Sequence, residues 1–426
     1  MMYLMNSEPT PFVNLAYSLY LYTVRLYEKV RQERIKDLYF FSREGALLKD
    51  VFDHFLKESN SNHLVNTHYL EVSRRSSFLP SLDDLKSEKF EVLFRQYRKM
   101  SLSSFLKNLT LDNHEAEILI NLGVGSEEAE KVEANLPTAE IFQKLIACPF
   151  FESLYNQERL RKRAALAGYV GSFSGGKLPS HMYVVDVGWK GSIQDNLFTW
   201  LQRVAGADAS VTGFYIGLVS DGIVDQKNQK VALLFSNKLH QSSGFRIFNE
   251  NRSLYEIFLP ARHGAPMSYD FDAQGSAIVL RDEFYEQKMI AEYVEPVSFQ
   301  IIKKFSEITD HFKQKKQSPE KLFKIVKKKH MSMVFSPHRD EIELVQSIYH
   351  VENFGAYGQS YFSSSIKSFS IIEKFKYSLR LIKTRRLDEP GFWPYLTLKT
   401  RALPGVAMLY SYFRLVQDQL LSKVKK

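Results

Sequence analysis

Apolar residues recur at helical spacing from 11 to 36, without an internal Pro or Gly, and predict a helix there. The period then changes. "LYFF" at 38–41 is a short continuous apolar run, the pattern of a buried strand, and Gly45 punctuates it. Over 46–57 the 3.6-residue period returns, with Leu47, Leu48, Val51, Phe52 and Phe55 on one side of a second helix. Another strand is predicted over 67–72, ending in Ser73-Arg74-Arg75. Residues 82–165 are helical and loop-rich, interrupted by Pro137 and Pro149. "MYVVDVGWKGSIQDNLFTWLQRV" runs strand, tight turn, helix, and the stretches 209–220 and 230–235 are β-rich. From about 285 the pattern is helical, down to an amphipathic stretch over 404–424 that ends in "SKVKK".

Strands alternating with helices predict an α/β fold on a mostly parallel sheet. The expected organisation is an α/β donor-binding core over 1–285, with a helical insertion at about 82–165, and a helical C-terminal region over 286–426 packed on that core. No internal repeat, low-complexity tract or long linker divides the chain.

Composition changes this picture little: 44% hydrophobic and 25% charged residues are globular values. The sole cysteine, Cys148, cannot form an internal disulfide and points to a reducing compartment, the cytoplasm. "MMYLMNSEPTPF" lacks the regions of a signal peptide, and the apolar stretch 12–24 is too short to span a bilayer, so a soluble protein is expected. The net charge of +9 is compatible with nucleic acid, an anionic membrane surface or phosphorylated substrates. Nucleic acid lacks support from a helix-turn-helix, a zinc ligand set or interleaved aromatic and basic residues. The lysine-rich stretch 303–330 is expected to be a solvated face.

The chemistry gathers at three strand-end turns, where ligands of open parallel sheets sit. After the first strand come Ser42, Arg43, Glu44 and Gly45; after the second, Ser73, Arg74 and Arg75. After the third, "VVDVGWKGS" supplies Asp186, Gly188, Trp189, Lys190, Gly191 and Ser192. Small residues before a helix N-terminus let backbone N–H groups approach an anion, and arginine forks match phosphate oxygens. Asp186 can accept from sugar hydroxyls or hold a metal. A plain turn would use the same glycines, and an ordinary surface ion pair the same arginines. Together they suit a polyanion carrying a sugar.

These motifs, "YFFSREGALLKDVFD", "YLEVSRRSSFLPSL", "VVDVGWKGSIQ", "GFYIGL" and "YEIFLPARHGAPMSY", resemble the glycan phosphoribosyltransferase domain of bacterial ribofuranosyltransferases of O-antigen and capsule assembly. The likeness covers roughly 10–270. To the general phosphoribosyltransferase fold it is distant, since the paired acids of the usual donor loop are missing. Glu44 stands where the family's turn carries aspartate.

The resemblance implies transfer of 5-phosphoribosyl from phosphoribosyl diphosphate to a hydroxyl of a lipid-linked glycan. A separate phosphatase of the haloacid dehalogenase type then removes the 5-phosphate, since "DVFDHF" lacks the D-x-D-x-T pattern of the phosphatase fused in many relatives. In that reading Arg43, Arg74 and Arg75 hold pyrophosphate, and Lys190, Gly191 and Ser192 the 5-phosphate. Asp186 holds ribose hydroxyls or magnesium, and Glu44 is the base for the acceptor. Trp189, Glu256, Arg262 and His263 are candidates for acceptor or donor contact. Arg159 or Arg163 could line the donor pocket, and Trp393 reads as core. Two rivals remain at this stage: a sugar-nucleotide-dependent glycosyltransferase, and a non-catalytic basic adaptor. The 404–426 stretch could also reach the inner face of the cytoplasmic membrane.

Overall fold

In this computed structural model the described residues are 10–220, 222–238, 244–315, 317–354, 356–361, 368–384 and 393–423. Residues 1–9 and 424–426, which carry part of the signal-peptide reading and most of the lysine tail, lie outside them.

The expected α/β class is present: five strands form one fully parallel sheet. They are β1 (Asp37–Phe41), β2 (Asn66–Leu70), β3 (His181–Trp189), β4 (Ser210–Leu218) and β5 (Asn228–Ser236), in the order β2-β1-β3-β4-β5. Parallel strands are covered on both faces, which is why "LYFF" and "VVDV" read as continuous apolar runs. Alternate side chains nevertheless enter different layers. Leu38, Phe40, Val185, Phe214 and Ile216 pack with the first helix, α1 (Leu15–Glu33), with α2 (Gly45–Glu58), and with the C-terminal helices Glu295–Gln314 and Pro319–Phe335. Tyr39, Phe41, Val184 and Val211 pack with helices Pro149–Ser172 and Ser192–Ala205.

α2 starts directly on β1. A Cβ on Gly45 would lie 2.9 Å from the Phe40 carbonyl carbon, so only glycine permits this close first turn. The insertion has its own apolar core between Phe78 and Tyr155. Edge-to-face rings hold it, with Phe105 centred 5.1 Å from both Phe90 and Phe142.

Two hairpins depart from the expected pattern. β6 (Pro266–Phe271) pairs antiparallel with β7 (Ala277–Arg281), and Met267 to Phe271 alternates apolar and polar as a half-buried strand does. Strands Tyr349–Phe354 and Ala356–Tyr361 pair inside the C-terminal region, which is therefore helical but not wholly so. Their tyrosine, valine and phenylalanine content favours strand over helix.

His330 of the Pro319–Phe335 helix is fully buried, near-parallel to the Tyr255 ring at 6.0 Å and beside Phe248 at 4.9 Å. Burial pushes its pKa down to about 3. Once unfolded, the same side chain titrates near 6.5. Its contribution to stability is thus complete above about pH 6.5 and is lost as pH falls from there toward 3, by about 1.4 kcal/mol per pH unit. Urea unfolding between pH 7 and pH 5 should show this slope in the wild type and a flatter one in His330→Phe. Equal slopes would refute it.

Candidate functional site

Strand order reverses between β1 and β3, so the crevice at their carboxyl ends is the expected ligand position of such a sheet. Ser42 and Val72 tie the exits of β1 and β2 together: Ser42 Oγ donates to the Val72 carbonyl at 2.8 Å and accepts from its N–H at 3.1 Å. The Ser42–Arg43 peptide is cis.

Asp186 was expected at the end of β3, but it lies inside the strand, opposite Tyr215. The strand continues through Gly188 and Trp189 because Gly188, at φ +113°, pairs with Gly217. A Cβ on Gly188 would lie 2.2 Å from the Gly217 carbonyl oxygen, so the two backbones meet only as glycines. Asp186 is buried and accepts from the Val187 N–H at 2.8 Å. Its carboxyl pKa is pushed well above the usual range, first by burial, then by Glu44 and Glu256; the Val187 and Gly188 N–H groups counteract this only in part.

Glu44 and Glu256 line one hollow, and both act electrostatically on Asp186, so three predicted residues of distant sequence origin share one neighbourhood. Trp189 joins them by donating its indole N–H to Glu256 at 2.7 Å, while the Arg252 guanidinium lies 5.3 Å over the Trp189 ring. Arg43 and Glu44 line a hollow of about 30 Å³ together with Glu256 and Glu286. That is room for about one water. Arg43 is ion-paired with Glu286, which is nearly inaccessible. Burial pulls the Arg43 pKa down, but Glu286 and Glu44 more than offset it, so the guanidinium stays charged.

A second group sits under the insertion. Arg74 donates to the Tyr97 hydroxyl at 3.5 Å and Lys190 to Gln96 Oε1 at 3.4 Å. Gln96 and Tyr97 are adjacent, so both cations face one segment. Gly191 opens the helix Ser192–Ala205 in a left-handed conformation, and Ser192 is its first residue.

Other predicted residues are engaged elsewhere. Arg75 is 3% exposed and gives its guanidinium to the Lys107 carbonyl at 2.9 Å and to Asp112 at 3.0 Å. It anchors the insertion and does not offer a fork to pyrophosphate. The Ser73 hydroxyl caps α3 (Arg74–Ser81) by accepting from the Ser76 N–H at 3.0 Å. Arg262 is exposed and paired with Glu295 at 2.9 Å. His263 meets the Tyr69 hydroxyl at 2.8 Å and the Gly264 carbonyl at 2.8 Å. Arg163 donates to the Pro80 carbonyl at 2.9 Å, and Arg159 to Asn156 at 3.2 Å. Trp393 is core, donating to the Val334 carbonyl at 2.9 Å.

Among the described residues no three acidic, histidine or cysteine side chains form a metal-ligand set. The donor chemistry fits magnesium only through the Asp186 carboxylate, completed by substrate phosphates. Burial is the main cause of the raised Asp186 pKa, and a cation there would offset it together with the smaller repulsion from Glu44 and Glu256.

Local sequence carries no signal for Glu286, 243 positions from Arg43 in the chain. It was also silent on a buried network behind the Lys190 turn. Lys230 and Asp195 are ion-paired at 3% and 5% side-chain exposure. Asn228 donates to Asp195 at 2.8 Å, Gln194 donates to Asn228 at 2.7 Å, and Tyr215 donates to Gln194 at 2.6 Å.

Neither protein-family models nor curated proteins give a match to the chain.

Proposed function

We propose that this protein is a glycosyltransferase of surface-polysaccharide assembly, moving 5-phosphoribosyl from phosphoribosyl diphosphate to a glycan hydroxyl. The observation that carries the reading is the gathering of acidic and cationic groups from separate elements around the topological switch point. Carboxylates 44, 186 and 256 lie on the β1–β3 side, and Arg74 and Lys190 on the insertion side. The ordered likeness of the motifs to glycan phosphoribosyltransferases supports it from the sequence.

In this mechanism the bond from ribose C1 to the pyrophosphate oxygen breaks as the acceptor oxygen bonds to C1. Glu44 takes the acceptor proton. Arg43 and Arg74 receive the negative charge of the leaving pyrophosphate. Lys190 and the N-terminus of the Ser192–Ala205 helix hold the 5-phosphate. Asp186 orients the ribose hydroxyls. Magnesium on Asp186 would supply charge neutralisation to the phosphates.

The hollow is too small for the donor while Glu286 holds Arg43. Donor phosphate therefore competes with Glu286 for one guanidinium. Glu286→Gln should tighten donor binding about tenfold, the scale of one charge-assisted pair. Calorimetric titration with phosphoribosyl diphosphate reads this; unchanged affinity would remove Glu286 from the donor path. The transfer itself is tested by mass spectrometry of a synthetic glycan acceptor incubated with the donor. A gain of one phosphorylated pentose is expected, and no gain would overturn the reading. Titration with nucleotide sugars provides the opposing comparison.

A further inference from the structure

The helix Ile371–Thr384 leaves a row of large apolar side chains in solvent: Ile371 81%, Ile372 69%, Phe375 53%, Leu379 51% and Ile382 74% exposed. At 3.6 residues per turn these five occupy an arc of about 100°. Ser378, just past the Ile371 edge of that arc, and Leu381, further round, are buried against the protein. Lys376, Arg380 and Lys383 border the apolar stripe and are exposed. The last helix, Val406–Lys423, repeats the pattern. Ala407, Tyr410 and Asp418 are buried, while Met408, Leu409, Tyr412, Phe413 and Leu420 are 49–68% exposed on the opposite side. From Met408 to Leu420 that exposed side carries no charge: Arg414 donates to the Tyr410 hydroxyl, and Asp418 is paired with Lys327. The helices are joined through Pro394–Arg401, with the Leu403 N–H donating to Ser378 Oγ at 3.0 Å.

An apolar stripe with a cationic border, on a helix whose remaining side is held by the protein, is the geometry of an in-plane interfacial helix. We infer that Ile371–Thr384 and Val406–Lys423 dock this protein on the surface of an anionic lipid bilayer. Charge decides against a second copy as the occupant. Two copies face to face would set Lys376, Arg380 and Lys383 against their equivalents, on chains of net charge +9. Anionic headgroups neutralise the same border. Phe375, Tyr412 and Phe413 supply aromatic rings of the kind enriched at headgroup level. No helix among the described residues is long and apolar enough to cross a membrane, so the contact lies along the surface. The inference does not rest on the proposed transfer, although a lipid-linked acceptor would place both at one membrane.

The test is flotation of the full chain with vesicles of phosphatidylcholine containing phosphatidylglycerol, against phosphatidylcholine alone. The wild type should float with the anionic vesicles and be released by salt. Phe375→Glu with Ile382→Glu should weaken binding at least about tenfold. Lys376→Ala should weaken it about fivefold. All these side chains are exposed, so thermal unfolding should be unchanged. Failure of the wild type to bind anionic vesicles, or binding that neither variant weakens, would overturn the inference. So would sedimentation that finds a dimer dissociated by Phe375→Glu in a protein that ignores vesicles. Transfer to a soluble glycan is read separately, so either result can fail alone.

Discussion

Replacing Asp186 by Asn is expected to slow transfer sharply and, at the same time, to make the protein more stable. The side chain sits in a strand interior at 7% exposure, with Glu44 and Glu256 near enough to oppose its ionisation. Burial is the larger cause, and the two N–H bonds it receives do not balance the account. The consequence for pH follows from the raised folded-state pKa. Below the unfolded carboxylate value of about 3.9 the group is neutral in both states and costs nothing. As pH rises through that value the unfolded chain ionises while the folded one does not, and stability falls until the folded group also titrates. Asn keeps the shape and removes the slope, so the variant's advantage should be larger at pH 7 than at pH 4. A gain of about 1 kcal/mol at pH 7 is the usual scale for relieving a functional site. Loss of a group that orients the reacting sugar should cost about a hundredfold to a thousandfold in rate. Thermal unfolding at the two pH values, with the mass-spectrometric transfer assay, reads both halves. A variant that is active and less stable would remove Asp186 from the site.

What the chain's pattern could and could not disclose divides along physical lines. β1 and β3 to β5 were legible because strands covered on both faces must be apolar throughout, and short apolar runs bounded by turn residues leave few other readings. The boundary at Asp186 was misplaced because Asp186-Val187 followed by Gly-Trp-Lys-Gly looks like a turn. What extends the strand is the cross-strand partner Gly217, which local sequence does not name. β6 differs, since Met267 to Phe271 does carry the local period-2 signal of a strand. Its place is fixed by distant groups: Ser73 Oγ donates to the Pro266 carbonyl at 2.6 Å and the Tyr269 hydroxyl to the Glu71 carbonyl at 2.8 Å.

The site shows the same division. Residues on strand-end turns could be nominated from position alone, and the sheet gathers Glu44 and Asp186 beside Glu256. Which arginines are committed elsewhere could not be foreseen. Arg74 and Arg75 are neighbours in sequence, but helix geometry sends consecutive residues to different sides, and Arg75 meets Asp112 while Arg74 meets Tyr97. Glu286 comes from the far end of the core and is visible only once the fold brings it to Arg43.

The largest stability effect is expected at Lys230. It and Asp195 are almost fully buried, and Asp195 also accepts from Asn228 and from the Ile223 N–H at 3.1 Å. Lys230→Met leaves a carboxylate buried without its cation and should cost about 3–5 kcal/mol, the range for breaking one partner of a buried pair. Adding Asp195→Asn removes the stranded charge while keeping an acceptor oxygen, so the double variant should recover most of the loss. That recovery is what separates a charge effect from lost packing, because packing lost at position 230 would persist in the double variant. The pair also shapes the site: a Cβ on Gly191 would lie 2.5 Å from the Lys230 side chain, so this lysine packs under the turn that carries Lys190. Urea unfolding of the two single variants and the double completes the cycle. Lys230→Met within about 1 kcal/mol of wild type, or a double variant no better than Lys230→Met, would show that the pair does not hold this corner of the sheet.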